Sequence, residues 1–305
     1  MFALSTAWNA KRCGCGTAIV GEIAALGFEN LELNFSLDAD QVKDVAAAAR
    51  DQHLRITSLH NFCPYPEEFS RQAALPDAFS LSSLDESERK KAVEYTKRTI
   101  ATASGLNAQA VVLHCGRVEM QDQTRALIAL VANGQRDTPT YKMLFEQTKE
   151  ERAAKAPDFL HQIIKSLEEL SSYAQDRRVL LGLENRFYHR EIPSFEEFGS
   201  LFERFKNDGS IAYWHDVGHA FILETLGFMN KGALLETYSE KLCGFHLHNI
   251  KNLEDHHAPL EGDFDFTSLK AYCDRTTLNV IEAHAQAPAK SVARSLEYLK
   301  GVLGD

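Results

Sequence analysis

The sequence predicts one domain of the α/β class, a (β/α)8 barrel with an inserted helical segment after the fourth strand. Three observations predict it. Apolar, β-branched runs alternate with helical patterns along the whole chain, and eight such runs can be counted. Four of the later runs end abruptly in side chains able to hold a metal. VLLGLEN ends on Glu184, IAYWHDVGH on Asp216 and His219, CGFHLHN carries His246 and His248, and NVIEAH ends on Glu282 and His284. Glu184, Asp216, His246 and Glu282 lie about 30 to 36 residues apart, roughly one βα unit of such a barrel. Finally, 305 residues suit one barrel with an insertion better than several small domains.

The elements follow in order. Residues 2–6 read as the first strand, 8–16 as a loop and 17–26 as an amphipathic helix stopped by Gly27. Residues 30–34 (NLELN) alternate apolar and polar as a strand does, and 40–52 form an alanine-rich helix. The third strand, 54–59, is followed directly by His60 and then by a loop with Pro64, Pro66 and Pro76. Ser83, with Glu86 three residues on, is the expected capping box of a helix over 84–104. The fourth strand, 110–113, closes on His114. Residues 117–157 then interrupt the rhythm before the next helix, 159–174. Most loops are far shorter. This segment, helical in pattern near 141–154, is expected to decorate the barrel as a lid or as the contact of a homo-oligomer. The remaining strands fall at 179–185, 211–215, 242–247 and 279–281. Helices fall at 195–205, 234–238, 266–273 and 291–303.

Composition narrows the function classes. The net charge of −10 and pI near 5.7 disfavour a protein that relies on a broad basic surface, such as most duplex binders. No apolar run is long enough to cross a bilayer, and the N-terminal apolar run lacks the basic residues of a signal peptide. Six cysteines in a chain this long do not make a disulfide framework, so a reduced, cytoplasmic protein is expected. Cys13-Gly14-Cys15-Gly16 reads as a glycine-rich turn.

In such barrels the chemistry lies where the strands end. Here those ends carry His60, His114, Glu184, Asp216, His219, His246 and Glu282. A single polar residue there means little, because loops begin there, and His60 or His114 alone is more often a hydrogen-bonded loop histidine. Recurrence in consecutive units is the signal. Carboxylates with an imidazole suit Mn²⁺, Zn²⁺, Co²⁺ or Fe²⁺, and three carboxylates lean to the harder of these. The competing reading is a set of separate ion pairs.

The stretches GLENR, WHDVGHA, FHLHN, HAPLEGDFDF and VIEAH resemble the strand-end motifs of the xylose-isomerase-like barrel superfamily. That group includes sugar and sugar-phosphate isomerases and epimerases, inosose dehydratases and the endonuclease IV type of apurinic-site nuclease. The resemblance spans nearly the whole chain outside 117–157. It implies one divalent ion (Mn²⁺, Zn²⁺ or Co²⁺) on Glu184, Asp216, His246 and Glu282. It also implies proton abstraction next to a carbonyl of a small sugar, sugar phosphate or polyol ketone, through a metal-stabilised enediolate. Glu184 and Glu282 would be the two proton carriers. His219, Arg186 and the aromatic Trp8 would bind substrate, with Phe62 and Phe187 nearby as stacking faces or wall packing.

The nuclease branch uses three zinc ions, for which His60, His114, Asp255 and His257 are the further candidates. The spacing from His257 to the following glycine is one residue shorter than that branch's pattern. Apart from Trp8, Lys11 and Arg12, the chain lacks loops suited to gripping a kinked duplex, so nucleic acid is not the expected partner. An inosose-dehydratase-like lyase shares the first chemical step. A barrel that binds sugar without turning it over would have no need of two opposed carboxylates.

Overall fold

Buried, β-branched strands too short to stand alone need neighbours on both edges, and here they obtain them by closing a ring. In the computed structural model, which describes residues 1–69, 77–273 and 277–304, eight parallel strands form a closed barrel. The first seven are β1 (Phe2–Ser5), β2 (Asn30–Leu33), β3 (Arg55–His60), β4 (Ala110–Leu113), β5 (Leu180–Glu184), β6 (Ile211–Asp216) and β7 (Leu242–Leu247). A small antiparallel hairpin, β8 (Asn249–Lys251) and β9 (Glu254–His257), follows. β10 (Leu278–Ile281) then closes the ring between β7 and β1. Of the loop prolines, Pro76 lies outside the described residues.

Helices cover the outside: α1 (Gly16–Ala25), α2 (Ala39–Asp51), α3 (Glu86–Gly105), α4 (Thr124–Ala132), α5 (Pro139–Gln175), α6 (Phe195–Arg204), α7 (Val217–Leu226), α8 (Ala233–Tyr238) and α9 (Ala289–Leu303). The main apolar core lies between this layer and the outward faces of the strands, for example Leu31 and Leu33 against Val42 and Val45. Among the described residues, no helix is long and apolar enough to cross a membrane.

Inside the barrel a second, small core forms from Ala3, Ala110, Val112, Trp214, Leu278 and Val280. Trp214 is its plug. Gly182 and Gly244 flank it, and a Cβ on Gly244 would overlap the indole, whereas one on Gly182 would lie 3.1 Å from it. The two glycines therefore make room for one large ring. They also explain why both strands carry a glycine two residues before their functional side chain.

Several expectations need correction. The segment at 117–157 packs firmly against the barrel's outer layer. α4 and the first half of α5 pack with Phe187 and α7 around Leu127, Tyr141, Ile222 and Leu226. The Tyr141 hydroxyl donates to the Leu226 carbonyl at 2.6 Å. α5 runs unbroken through Pro157, which sits on an exposed face. A proline inside a helix costs roughly 3 kcal/mol. Here Arg152 anchors one side by hydrogen bonds to Glu197 and to the carbonyls of His189 and Glu191, and Phe159 and Ile163 anchor the other in the core. The cap of α3 is Asp85, which accepts from the backbone of Ser87 and Glu88, while Ser83 donates to Glu88 instead. α7 and the β8–β9 hairpin were not anticipated. The expected helix over 266–273 is only a 3-10 turn, Phe266–Leu269.

Candidate active site at the mouth of the barrel

Side chains alternate along a strand, so Gly182, Trp214, Gly244 and Val280 form one inward layer and the residues two positions on form the next. That next layer is Glu184, Asp216, His246 and Glu282. Asp216 pairs directly with His246 across β6 and β7, whereas Glu184 pairs with Trp214 and Val280 with His246, so Glu184 and Glu282 join the layer through the stagger of the tilted strands. Each of the four is buried, and each offers a ligand atom within 4.8 Å of the other three. His246 Nδ1 faces Glu184 Oε1 at 2.6 Å, Glu282 Oε2 at 3.2 Å and Asp216 Oδ2 at 3.8 Å.

The cluster is held from behind. Asp216 caps α7 by accepting from the His219 amide at 2.7 Å, and both its oxygens lie 3.0 Å from His248 Nε2. Asn185 grips the Asp216 backbone through both its amide and its carbonyl, at 2.8 Å each. Behind His246 stands Glu32, fully buried on β2, 3.1 Å from its Nε2 and accepting from Ser58 at 2.8 Å. A carboxylate on the far nitrogen fixes which nitrogen faces the cluster. Sequence reading passed over Glu32. The alternation of NLELN is that of a half-exposed strand, but helices cover this strand outside, so its polar residues turn into the barrel. That inversion was the available signal.

Three carboxylates sharing one point repel one another unless a cation joins them. Burial, with the charges of Glu184, Glu32 and Asp216, pushes the Glu282 carboxyl up to about 8 against the pull of His246. Burial would raise Glu184 as well, but hydrogen bonds from His114 and His246 hold it well below the usual carboxylate range. His246 is raised well above an ordinary histidine, its burial overcome by Glu282, Glu32 and Glu184. Three carboxylates and one imidazole fit a divalent ion of the Mn²⁺, Zn²⁺ or Co²⁺ kind.

Two further groups flank this one. His60 and His114 meet Glu184 on one side. His114 Nε2 is 2.7 Å from Glu184 Oε2, and His114 Nδ1 is 2.9 Å from Asp77. Arg186 lies against the same two side chains and donates to Glu184 at 2.7 Å and to Glu191 at 2.9 Å. On the other side stand His219, Asp255 and His256. The histidine brought in by the hairpin is thus His256, not His257. His257 pairs with Asn249 in the hairpin, and the left-handed backbone of His256 (φ 57°) breaks the alternation that would have turned residue 257 inward.

A pocket of about 250 Å³ opens over the cluster. Its walls include His60, His114, Arg186, His219, His256, His284 and Phe187, and also Phe35, Arg125 and Tyr188, which sequence reading did not single out. Trp8 does not line it. Its indole is buried and donates to the Ala287 carbonyl at 2.9 Å, so the substrate role expected of it is withdrawn. Phe62 likewise packs in the wall between Phe79 and Tyr95.

Comparison with known proteins agrees with this architecture. Among solved structures, the chain is similar to a 3-keto-D-glucoside 4-epimerase from E. coli, at 15% identity and TM-score 0.67, covering 98% of each chain. It is similar to a D-psicose 3-epimerase from Clostridium cellulolyticum H10 solved with D-tagatose, at 14% identity and TM-score 0.67, covering 100% of this chain and 99% of that one. A putative xylose isomerase from Rhodospirillum rubrum matches at 14% identity and TM-score 0.70, covering 99% and 97%. At such identities the likeness is one of fold. No curated protein matches the chain in sequence. The family described as xylose isomerase-like TIM barrel matches residues 20–301, and the chain belongs to that family.

Proposed function

We propose that the protein is a divalent-metal-dependent isomerase or epimerase of a small sugar, sugar phosphate or polyol ketone. One observation carries the reading: Glu184 and Glu282 meet at a common point with Asp216 and His246, under a pocket open to solvent. A bound cation would supply positive charge to the carbonyl and neighbouring hydroxyl oxygens of a ketose. The protein's own groups would then move the proton. Glu184, held ionised, takes it from the carbon beside the carbonyl. Glu282, which shares the common point with Glu184, delivers a proton drawn from solvent to the opposite face or to the next carbon. His219 and Arg186 face the same pocket and are the groups nearest to hand for substrate oxygens. The sugar epimerases among the similar structures support this substrate class.

The test is incubation in D₂O with D-psicose, D-tagatose, L-ribulose and a 3-keto-glucoside after loading with Mn²⁺ or Co²⁺. Deuterium is expected at a carbon next to the carbonyl of at least one of them, and to disappear with Glu184→Gln. Deuterium entering equally with that variant would overturn the reading.

A second reading has one specific observation in its favour. Besides the central cluster, the His60–His114–Glu184 and His219–Asp255–His256 groups each bring together side chains that could hold a further ion. It predicts about three zinc ions per chain and incision of an abasic duplex.

A further inference from the structure

Arg186 occupies the place a second cation would take beside Glu184. His114 Nδ1 is engaged by Asp77 at 2.9 Å, which leaves Nε2. Glu184 Oε1 is engaged by His246 at 2.6 Å, which leaves Oε2. These two remaining atoms, 2.7 Å apart, are what His114 and Glu184 could offer to an ion shared with His60. Arg186 Nη1 lies against both: it donates to Glu184 Oε2 at 2.7 Å and contacts His114 Nε2.

The guanidinium is built in. It is buried, Nη2 donates to Glu191 at 2.9 Å, and Glu191 is itself fixed by the Tyr188 amide at 2.8 Å. Asp77 stands 4.0 Å away. Arginine keeps its charge at any working pH, unlike lysine or histidine. A divalent ion on the same two atoms would meet a permanent positive charge at contact distance in a desolvated site.

We propose that Arg186 is a resident cation that closes the His60–His114–Glu184 group to metal, so that Glu184 serves one ion rather than bridging two. The inference rests on the proposed metal-dependent reading, and concerns how many ions Glu184 holds. It leaves His60 and His114 as hydrogen-bonding walls of the pocket.

The probe is Mn²⁺ alone, added to the full chain after chelator treatment and followed by equilibrium dialysis and electron paramagnetic resonance. The wild type is expected to give the signal of an uncoupled Mn²⁺, and His114→Ala to leave the Mn²⁺ content per chain unchanged. Arg186→Gln should gain one further ion, with the exchange-coupled signal of a pair bridged by Glu184. The double variant with His114→Ala should lose that gain, and Arg186→Lys, which keeps the charge, should not show it. A coupled pair in the wild type, an ion lost on His114→Ala, or no gain in an Arg186→Gln protein with native circular dichroism would overturn the inference. Should Arg186→Gln fail to fold, the wild-type spectrum and the His114 variant still decide. A wild type that binds no Mn²⁺ would overturn the proposed function itself, and this inference with it.

Discussion

At the N-terminal end of the barrel two clefts, of about 410 and 440 Å³, open between the helices and the strand starts. The pocket at the mouth is smaller, about 250 Å³. The first cleft is lined by residues such as Ala46, Arg50, Leu54 and Asn107, with its charges on the solvent side. The mouth gathers carboxylates, two arginines and several imidazoles, most of them buried. Room alone therefore does not locate chemistry in this molecule. What distinguishes the mouth is ionisable groups withdrawn from water and facing one another, whose proton affinities are displaced in opposite directions.

The contrast can be broken most directly at the two glutamates. Glu184→Gln and Glu282→Gln should each lower kcat about 10²–10⁴-fold on whichever ketose exchanges deuterium, with far-ultraviolet circular dichroism unchanged. Full activity in both would remove the two-carboxylate scheme. Asp216→Ala should strip the cation and also uncap α7, a loss of roughly 1 kcal/mol. Metal analysis and thermal melting read the two effects separately, and undiminished metal content would remove Asp216 from the ligand set.

Glu32→Gln sharpens the comparison, since Glu32 touches the cluster only through His246. Cation affinity should fall about 10–100-fold while the pocket walls stay in place, measured by titration calorimetry. An unchanged affinity would make Glu32 a buried charge without a positioning role. The pH dependence of the same titration is a smaller effect with a definite sign. Glu282, raised to about 8, and His246, raised well above its ordinary value, hold protons at neutral pH in the metal-free protein. A cation must displace them, so affinity should rise as pH is raised towards about 8. A flat profile would contradict that protonation state. At the other end of the barrel, Arg50→Ala should change neither cation affinity nor turnover, and should shift stability by no more than about 0.5 kcal/mol.

The barrel and the four-residue layer were legible in the sequence because both follow from a period of two. Once a strand's inward face is known, every second residue belongs to the same interior, and the strand ends follow. What escaped depends on contacts between distant segments. α7 begins directly at Asp216 and is apolar around most of its circumference, so it carries no helical stripe distinct from the strand before it. Pro157 ends a helix by local rule, but α5 continues through it, with Arg152 anchored to the remote Glu197 on one side and Phe159 and Ile163 in the core on the other. His256 displaces His257 because one left-handed residue shifts the facing of its neighbours, which no residue-type pattern encodes. Trp8 stands next to a strand end in sequence, yet the Ala287 carbonyl draws its indole into the wall.

The tryptophan wedged between two glycines bears on how this protein can be altered. Trp214 is fully buried, and its ring lies 5.1 Å from that of His246, edge to face. It is the floor on which the chemistry stands. Gly244→Ala, two residues before His246 on the same strand, would crowd the indole that packs against that histidine. Crowding at the base of the barrel would then surface as a defect in catalysis before it surfaced as a failure to fold.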